Sequence, residues 1–365
     1  MRKRIGLALL AGALLWGTGC ASLLERSYVS ATAHVDYYYV PEDPSTLRAE
    51  TYQGLVNAIL YLVESYADTG TIRLYNYTGD VEADLANACA EIRSEDPLGA
   101  YAVQDIRYDT TRIVTYYEVN LDFLYSRSAQ EVEGIVPVTG LGGLQAVFSQ
   151  AVSALNQHAT IRAARFSWTE QELTELFWTA YYGQPLYALP GAQVSFTFYP
   201  DTGTQRIIEL SILWPQTTQE LEQRAERLER AALQALADLP ADGQAPTLED
   251  VAGALNSTAV YDPQGTSDPE QALAGAPADG LGLALAMELL CHQAGLEAFL
   301  VRGASPQGQE PWLIVEQGEV YRHLLVSDLA PFLGGVLGDL PLYTDQELAQ
   351  MGYSWPQSFH PVCSD

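Results

Sequence analysis

Lysine is almost missing from this chain: among 365 residues the only one is Lys3. Once a leader is removed, no lysine is left for a Schiff base, a P-loop or a kinase site. Basic residues of either kind are scarce, 18 against 46 acidic, giving a formal charge of −28. Sequence-independent nucleic-acid binding needs a basic surface to displace counterions, so no nucleic acid is expected as a partner. Cysteine is limited to four residues and histidine to five. Beyond Cys20 the cysteines are Cys89, Cys291 and Cys363, an odd number spaced too widely for a disulfide framework or a zinc site. Cys89 and Cys291 sit in apolar helical patterns and read as small buried hydrophobes. The histidines show no metal-ligand spacing, and neither a metal nor another cofactor is expected.

What is present begins with a positive n-region, Arg2-Lys3-Arg4. The apolar stretch that follows, Ile5 to Trp16, is too short to span a bilayer comfortably. Residues 1–19 therefore read as a secretory signal. Gly17-Thr18-Gly19 precede Cys20, which resembles a bacterial lipoprotein lipobox with Gly17 where leucine is usual. That resemblance implies lipidation at Cys20 and a mature chain held outside the cytoplasm by an N-terminal anchor in the bacterial cell membrane. The competing reading is an ordinary cleaved signal in which Cys20 is incidental. No later run is long and apolar enough to span a membrane, and residues 20–30 form a short tether. The acidic excess disfavours direct adhesion to anionic headgroups.

With 48% hydrophobic residues the chain is long enough for two or three domains with cores of their own. Ala31 to Val40 is strand-like, and Asp43-Pro44-Ser45 opens a helix with Leu47, Tyr52, Leu55, Ile59, Leu62 and Val63 at helical spacing. A strand at 71–77, a helix at 82–92 and two strands across 104–125, turning at Asp109-Thr110-Thr111, complete a first α+β unit at 31–127. A second unit, 134–214, repeats the order: strand 135–138, helix 144–155, strand 160–168, helix 170–182, then a hairpin over 192–214 turning at 200–203. Thr71-Ile72-Arg73 matches Thr160-Ile161-Arg162, and Arg112-Ile113 and Arg206-Ile207 are assigned to corresponding return strands, so a duplication is expected. A helix from Thr217 to Leu239 follows, with charge pairs Glu220–Arg224 and Glu226–Arg230 at i,i+4. It opens a last domain, 217–365.

That domain carries the most specific pattern. Asp279-Gly280-Leu281-Gly282-Leu283-Ala284 leads through Leu289-Leu290 to Ala294-Gly295-Leu296, and a strand ending Val301-Arg302-Gly303 comes next. Glu310-Pro311-Trp312 and His323-Leu324-Leu325 follow, then a tail through Tyr353-Ser354-Trp355 to His360-Pro361-Val362-Cys363. This resembles the bacterial transglutaminase-like family, whose fold is related to the papain-like cysteine proteases. The resemblance covers about 217–365 and implies an α+β domain with Cys at a helix start, His in H-x-W and Asp after H-L. Aligned on Ala294-Gly295-Leu296, on Trp312 and on His323-Leu324, those three slots hold Gly280, Glu310 and Leu325.

The chemistry needs all three residues. A helix N-terminus and an imidazolium stabilise the thiolate, the His relays the proton and the Asp fixes its tautomer. Glycine offers no nucleophile, glutamate would raise a neighbouring thiol pKa, and leucine orients nothing. Cys291 and His292 do not replace them: they lie about 16 Å into the helix, at adjacent positions that face apart. His323 with Asp328 reads as a strand histidine beside a turn acid. The expectation is a pseudoenzyme whose residual cleft, with Tyr261, Asp262 and Trp312 nearby, binds an envelope peptide, a glycan or a protein partner. The rival expectation is an amide-processing enzyme of the same class that uses other residues.

Overall fold

The computed structural model describes residues 46–237, 239, 246–318, 320–326 and 340–364. The expected leader, Cys20, the tether, the strand at 31–40 and Asp328 lie outside the described residues. The fold is α+β, and among the described residues no helix is long and apolar enough to cross a membrane.

The first unit runs β1 (Thr46–Ala49), α1 (Tyr52–Glu64), β2 (Thr69–Tyr75), α2 (Val81–Glu95), α3 (Pro97–Ala102), β3 (Val103–Ile113) and β4 (Tyr116–Tyr125). Leu47 and Ala49 are buried at a period of two, so this stretch is a strand, and the helix expected from residue 43 onward begins only at Tyr52. Thr51 caps it by accepting from the Gly54 N–H. The hairpin turn also falls later than expected. Asp109, Thr110 and Thr111 lie inside β3, opposite Asn120, Val119 and Glu118, and the chain reverses at Val114-Thr115.

After α4 (Ala129–Glu133), the second unit runs β5 (Val136–Val138), α5 (Leu141–Ser153), β6 (His158–Ala163), α6 (Glu170–Tyr182), β7 (Gln193–Tyr199) and β8 (Arg206–Leu213). Its sheet order, β5-β6-β8-β7, repeats the order β1-β2-β4-β3 of the first. Ile72 opposes Val119 and Ile161 opposes Ile208, so Thr71-Ile72-Arg73 and Thr160-Ile161-Arg162 occupy equivalent central strands. Arg112-Ile113 and Arg206-Ile207 do not correspond: the first pair ends edge strand β3 and the second begins central strand β8. The misplaced turn accounts for that error.

The remainder runs α7 (Thr218–Ala235), α8 (Leu248–Thr258), β9 (Val260–Thr266), α9 (Pro269–Leu273), β10 (Pro277–Ala278), α10 (Gly280–Ala294), β11 (Ala298–Ser305), β12 (Gly308–Gln317), β13 (Val320–Leu324), β14 (Leu342–Tyr343) and α11 (Asp345–Gln350). Strands β11 to β14 form an antiparallel meander with α10 against β11 and β12. One continuous apolar core joins α5 and α6 of the second unit to α10, through Phe148, Phe177, Leu285 and Leu313.

Charge placement in α7 differs from the expectation of surface pairs. Glu220 turns back to cap its own helix, taking the Thr217 N–H and hydroxyl in a capping box. Arg224 is instead buried. It donates to the Leu186 carbonyl at 2.8 Å and to Asp268 at 2.7 Å, tying α7 to the second unit and to the head of α9.

Candidate functional site

Helix α10 begins where the expected nucleophile slot stands. Asp279 caps it, with Oδ1 accepting from the Gly282 N–H at 2.8 Å, and Oδ2 takes the Ser267 hydroxyl. Gly282 is a packing requirement: a Cβ there would lie 2.5 Å from the Thr266 carbonyl oxygen of β9. Gly280 has room. A Cβ at 280 would meet Pro311, 3.6 Å from its Cγ. The helix head and strand β12 therefore do come together. The side chain turned toward position 280 is Pro311, however, and Glu310 shares strand parity with Trp312 on the opposite face. There Glu310 accepts from the Tyr353 hydroxyl at 3.4 Å.

The other slot residues sit in the interior. Leu325 is packed with Val301, Trp312, Ile314, Leu348 and Cys363 in a second, smaller core on the sheet face away from α10. Trp312 is fully buried in that core. Tyr261 and Asp262 lie on β9: Tyr261 packs against the main core, and Asp262 accepts from the Gln264 N–H. Cys291 is fully buried, its thiol pushed up to about 12 by burial and by Glu288 nearby. His292 bonds the Ala298 carbonyl at 2.9 Å, so the two neighbours face apart.

On the far face of the meander a Cys, a His and an Asp do meet, at positions that no spacing rule connects. His323 of β13, Asp345 at the start of α11 and Cys363 of the tail bring one ligand atom each within 4.8 Å of one another. Trp312 donates its indole N–H to His323 Nδ1 at 3.0 Å. An indole can only donate, so Nδ1 is the acceptor and the ring proton sits on Nε2. Nε2 donates it to Asp345 Oδ1 at 2.8 Å. The Cys363 thiol is pushed up to about 12, by burial first and then by the charge of Asp345 and a hydrogen bond to it. Burial also lowers His323, with Asp345 acting in the opposite sense. The backbone closes the set: the Asp345 N–H donates to the Cys363 carbonyl at 2.8 Å, and Trp355 lies edge-on to His323 at 4.7 Å.

This wiring supports neither nucleophilic nor metal chemistry. Both His323 nitrogens are committed, so no lone pair can receive the Cys363 proton. A histidine that binds a metal through Nε2 carries its proton on Nδ1 and passes it to an acceptor. Here Nδ1 faces another donor, and the three residues do not fit a metal. The sequence held no signal for the cluster, because its members are separated by 22 and 18 residues in regions with no shared motif. The acid partner of His323 is Asp345.

A separate cleft of about 540 Å³ lies among residues of the first two units, with Arg127, Gln150, Asn156, His158 and Glu209 in its wall. Arg127 is spent on Glu209 at 2.8 Å and lies 4.8 Å from the ring centre of Tyr101.

No family model and no curated protein matches the chain. Among solved structures, one titled "Crystal structure of a TGase" is similar over 67% of this chain and 68% of that one, at 12% identity and a TM-score of 0.26. A superposition that slight settles neither fold nor chemistry.

Proposed function

We propose that this is a lipid-anchored extracytoplasmic protein whose C-terminal domain is a non-catalytic transglutaminase-like domain, and that the chain binds an uncharged part of the bacterial cell envelope. One observation carries the reading: the head of α10 meets β12 as a nucleophile helix would meet its histidine strand, yet Gly280 faces Pro311 there. The Ser267 hydroxyl is bonded to Asp279, a carboxylate already capping the helix and a weak base for a serine proton. The cleft beside Arg127 is the favoured binding surface: its single arginine is paired with Glu209 and Glu131, and its lining adds the amides of Gln150 and Asn156 and the imidazole of His158.

Purified protein incubated with a glutamine-containing peptide and a fluorescent amine is expected to show no amine incorporation and no ammonia release. Turnover abolished by Ser267→Ala or by Cys363→Ser would establish the enzyme reading instead. Co-sedimentation with purified peptidoglycan sacculi is expected, and Gln150→Ala with Asn156→Ala should weaken it about tenfold. Sacculi that leave the protein in the supernatant would remove the proposed ligand. Metabolic labelling with an alkyne fatty acid should tag the wild type and not Cys20→Ala; an untagged wild type would end the anchor reading.

A further inference from the structure

Among the described residues the first sheet ends in a long edge strand. Strand β3 runs eleven residues, Val103–Ile113, and pairs only with β4 among the described residues. Outer strand β1 has four residues, and β5 has three with Pro137 in the middle. An unguarded edge presents a row of free N–H and C=O groups that can template another strand. β3 carries no lysine and no proline, and its ladder is irregular only at its start, between Val103 and Asp105. Gln104, Arg107, Asp109 and residues 111–113 are exposed.

We propose that β3 pairs antiparallel with β3 of a second copy of this chain, with the two-fold axis through Tyr108. The charges select this register. Arg107, Asp109 and Thr111 share the sheet face away from the helices, since Thr110 on the other face bonds Glu82 of α2, while Asp105 next to the bulge is reached by Arg93 of α2 at 3.5 Å. Centred on Tyr108, the midpoint of the strand, Arg107 of each copy stands opposite Asp109 of the other, and Asp105 stands opposite Thr111. Moving the centre to Arg107 sets that arginine against itself and Asp105 against Asp109. Moving it to Asp109 sets two aspartates face to face. Opposite charges across a ladder stabilise and like charges destabilise, so both neighbouring registers are penalised. The half-step registers pair odd with even positions and would put the two helix layers on opposite sides of the joined sheet.

The edge is also a place where two such acidic molecules can approach. Asp105, Arg107, Asp109 and Arg112 cancel within a chain whose formal charge is −28. Arg107 is 74% exposed, held on its own strand only by Asp105 at 3.4 Å, and is free to reach across. The product is a closed, isologous pair with one continuous sheet through both copies. It does not depend on whether the C-terminal domain is catalytic.

The test uses the full chain in its membrane. Tyr108→Cys places two thiols across the axis, and mild oxidation is expected to give a reducible dimer. Asp105→Cys, which faces Thr111, should give several-fold less. Adding Arg107→Asp to Tyr108→Cys is expected to cut the dimer at least fivefold, and adding Asp109→Arg as well should restore it. Sedimentation of the detergent-solubilised wild type covers the case in which the Cys variant fails to fold: a dimer is expected, weakened by Arg107→Asp. A monomeric wild type overturns the proposal. So does a dimer indifferent to the charge reversals, or crosslinking at 108 no stronger than at 105.

Discussion

The indole N–H of Trp312 points at Nδ1 of His323 from 3.0 Å, and that one bond fixes which ring nitrogen carries the proton. A Cys, a His and an Asp thus lie together in this protein with both imidazole nitrogens already hydrogen-bonded, to Trp312 and to Asp345. The predicted consequence is structural. Trp312→Phe keeps most of the apolar volume but leaves Nδ1 buried and unpartnered, which costs about 1–3 kcal/mol. Urea unfolding should show a lower midpoint at unchanged slope. In the wild type Cys363 should stay unmodified by iodoacetamide until the protein unfolds, because burial and Asp345 push its thiol up to about 12. Rapid native alkylation of Cys363 would mean that the thiol proton has found a base.

The buried imidazole of His323 and the half-buried one of His360 both contribute to the acid limb of stability. Burial lowers His323, and burial followed by the charge of His323 takes His360 down to about 4. In the unfolded chain each binds a proton near 6.5, which the folded protein refuses. Their contribution is therefore complete above pH 6.5 and is lost as pH falls from 6.5 toward 4. For His360 alone this is roughly 3 kcal/mol. His360→Gln should flatten melting temperature against pH in that window; an unchanged profile would show that His360 does not resist protonation.

Glu288 works in the opposite direction. It lies fully buried in α10, accepting from the Leu300 N–H at 2.9 Å, with its second oxygen unpartnered. Burial raises its carboxyl well above the ordinary range. A raised carboxyl stabilises fully below the unfolded value near 4.5, and the gain disappears as pH rises through the folded value. Glu288→Gln keeps the bond to Leu300 and removes the ionisation. Its stability relative to wild type should improve steadily from pH 5 to pH 8, as read by thermal melts. A constant difference across that range would show Glu288 to be ionised in the fold.

The sequence made local structure legible wherever a signal was local. Helix α6 is read at both ends, Glu170 and Tyr182, because Thr169 and Glu172 form a capping box and Gly183 closes the last turn. The equal sheet orders of the two units confirm that each has the same chain path. Asp109-Thr110-Thr111 misled because turn-forming residues also suit an exposed strand edge, and only pairing with Asn120, Val119 and Glu118 decides between them. Arg224 misled because an i,i+4 acid is a weak attraction beside a capping box for Glu220 and a buried partner for Arg224. The His323 network was unreadable for a different reason: its contacts are made by tertiary folding of a tail across the sheet.

The burial of Arg224 makes its pair with Asp268 asymmetric. Removing the acid alone strands a cation that is 2% exposed, and Asp268 also accepts from the Glu270 N–H at 3.0 Å. Asp268→Ala should therefore cost about 3–5 kcal/mol. Arg224→Met removes the charge and retains the apolar stem, leaving an acid that water can reach, and should cost clearly less. Equal losses in urea unfolding would show the pair to be a surface contact.

Which strand residue faces position 280 can be settled by rebuilding the site. Gly280→Cys fits, since its Cβ would sit 3.6 Å from Pro311 Cγ, whereas Gly282→Ala drives a Cβ to 2.5 Å from the Thr266 carbonyl and should destabilise strongly. A thiol at 280 lies at the N-terminus of α10, where the helix dipole favours the thiolate. Pairing it with Pro311→His should place an imidazole beside it and lower the thiol pKa by a unit or more, measured as alkylation rate against pH. Pairing it with Glu310→His should leave the rate close to that of Gly280→Cys, because position 310 turns toward Tyr353 on the other face. The reverse order would mean that the family-like slot at 310 swings toward the helix head, and that the protein is one side-chain rotation closer to a working site.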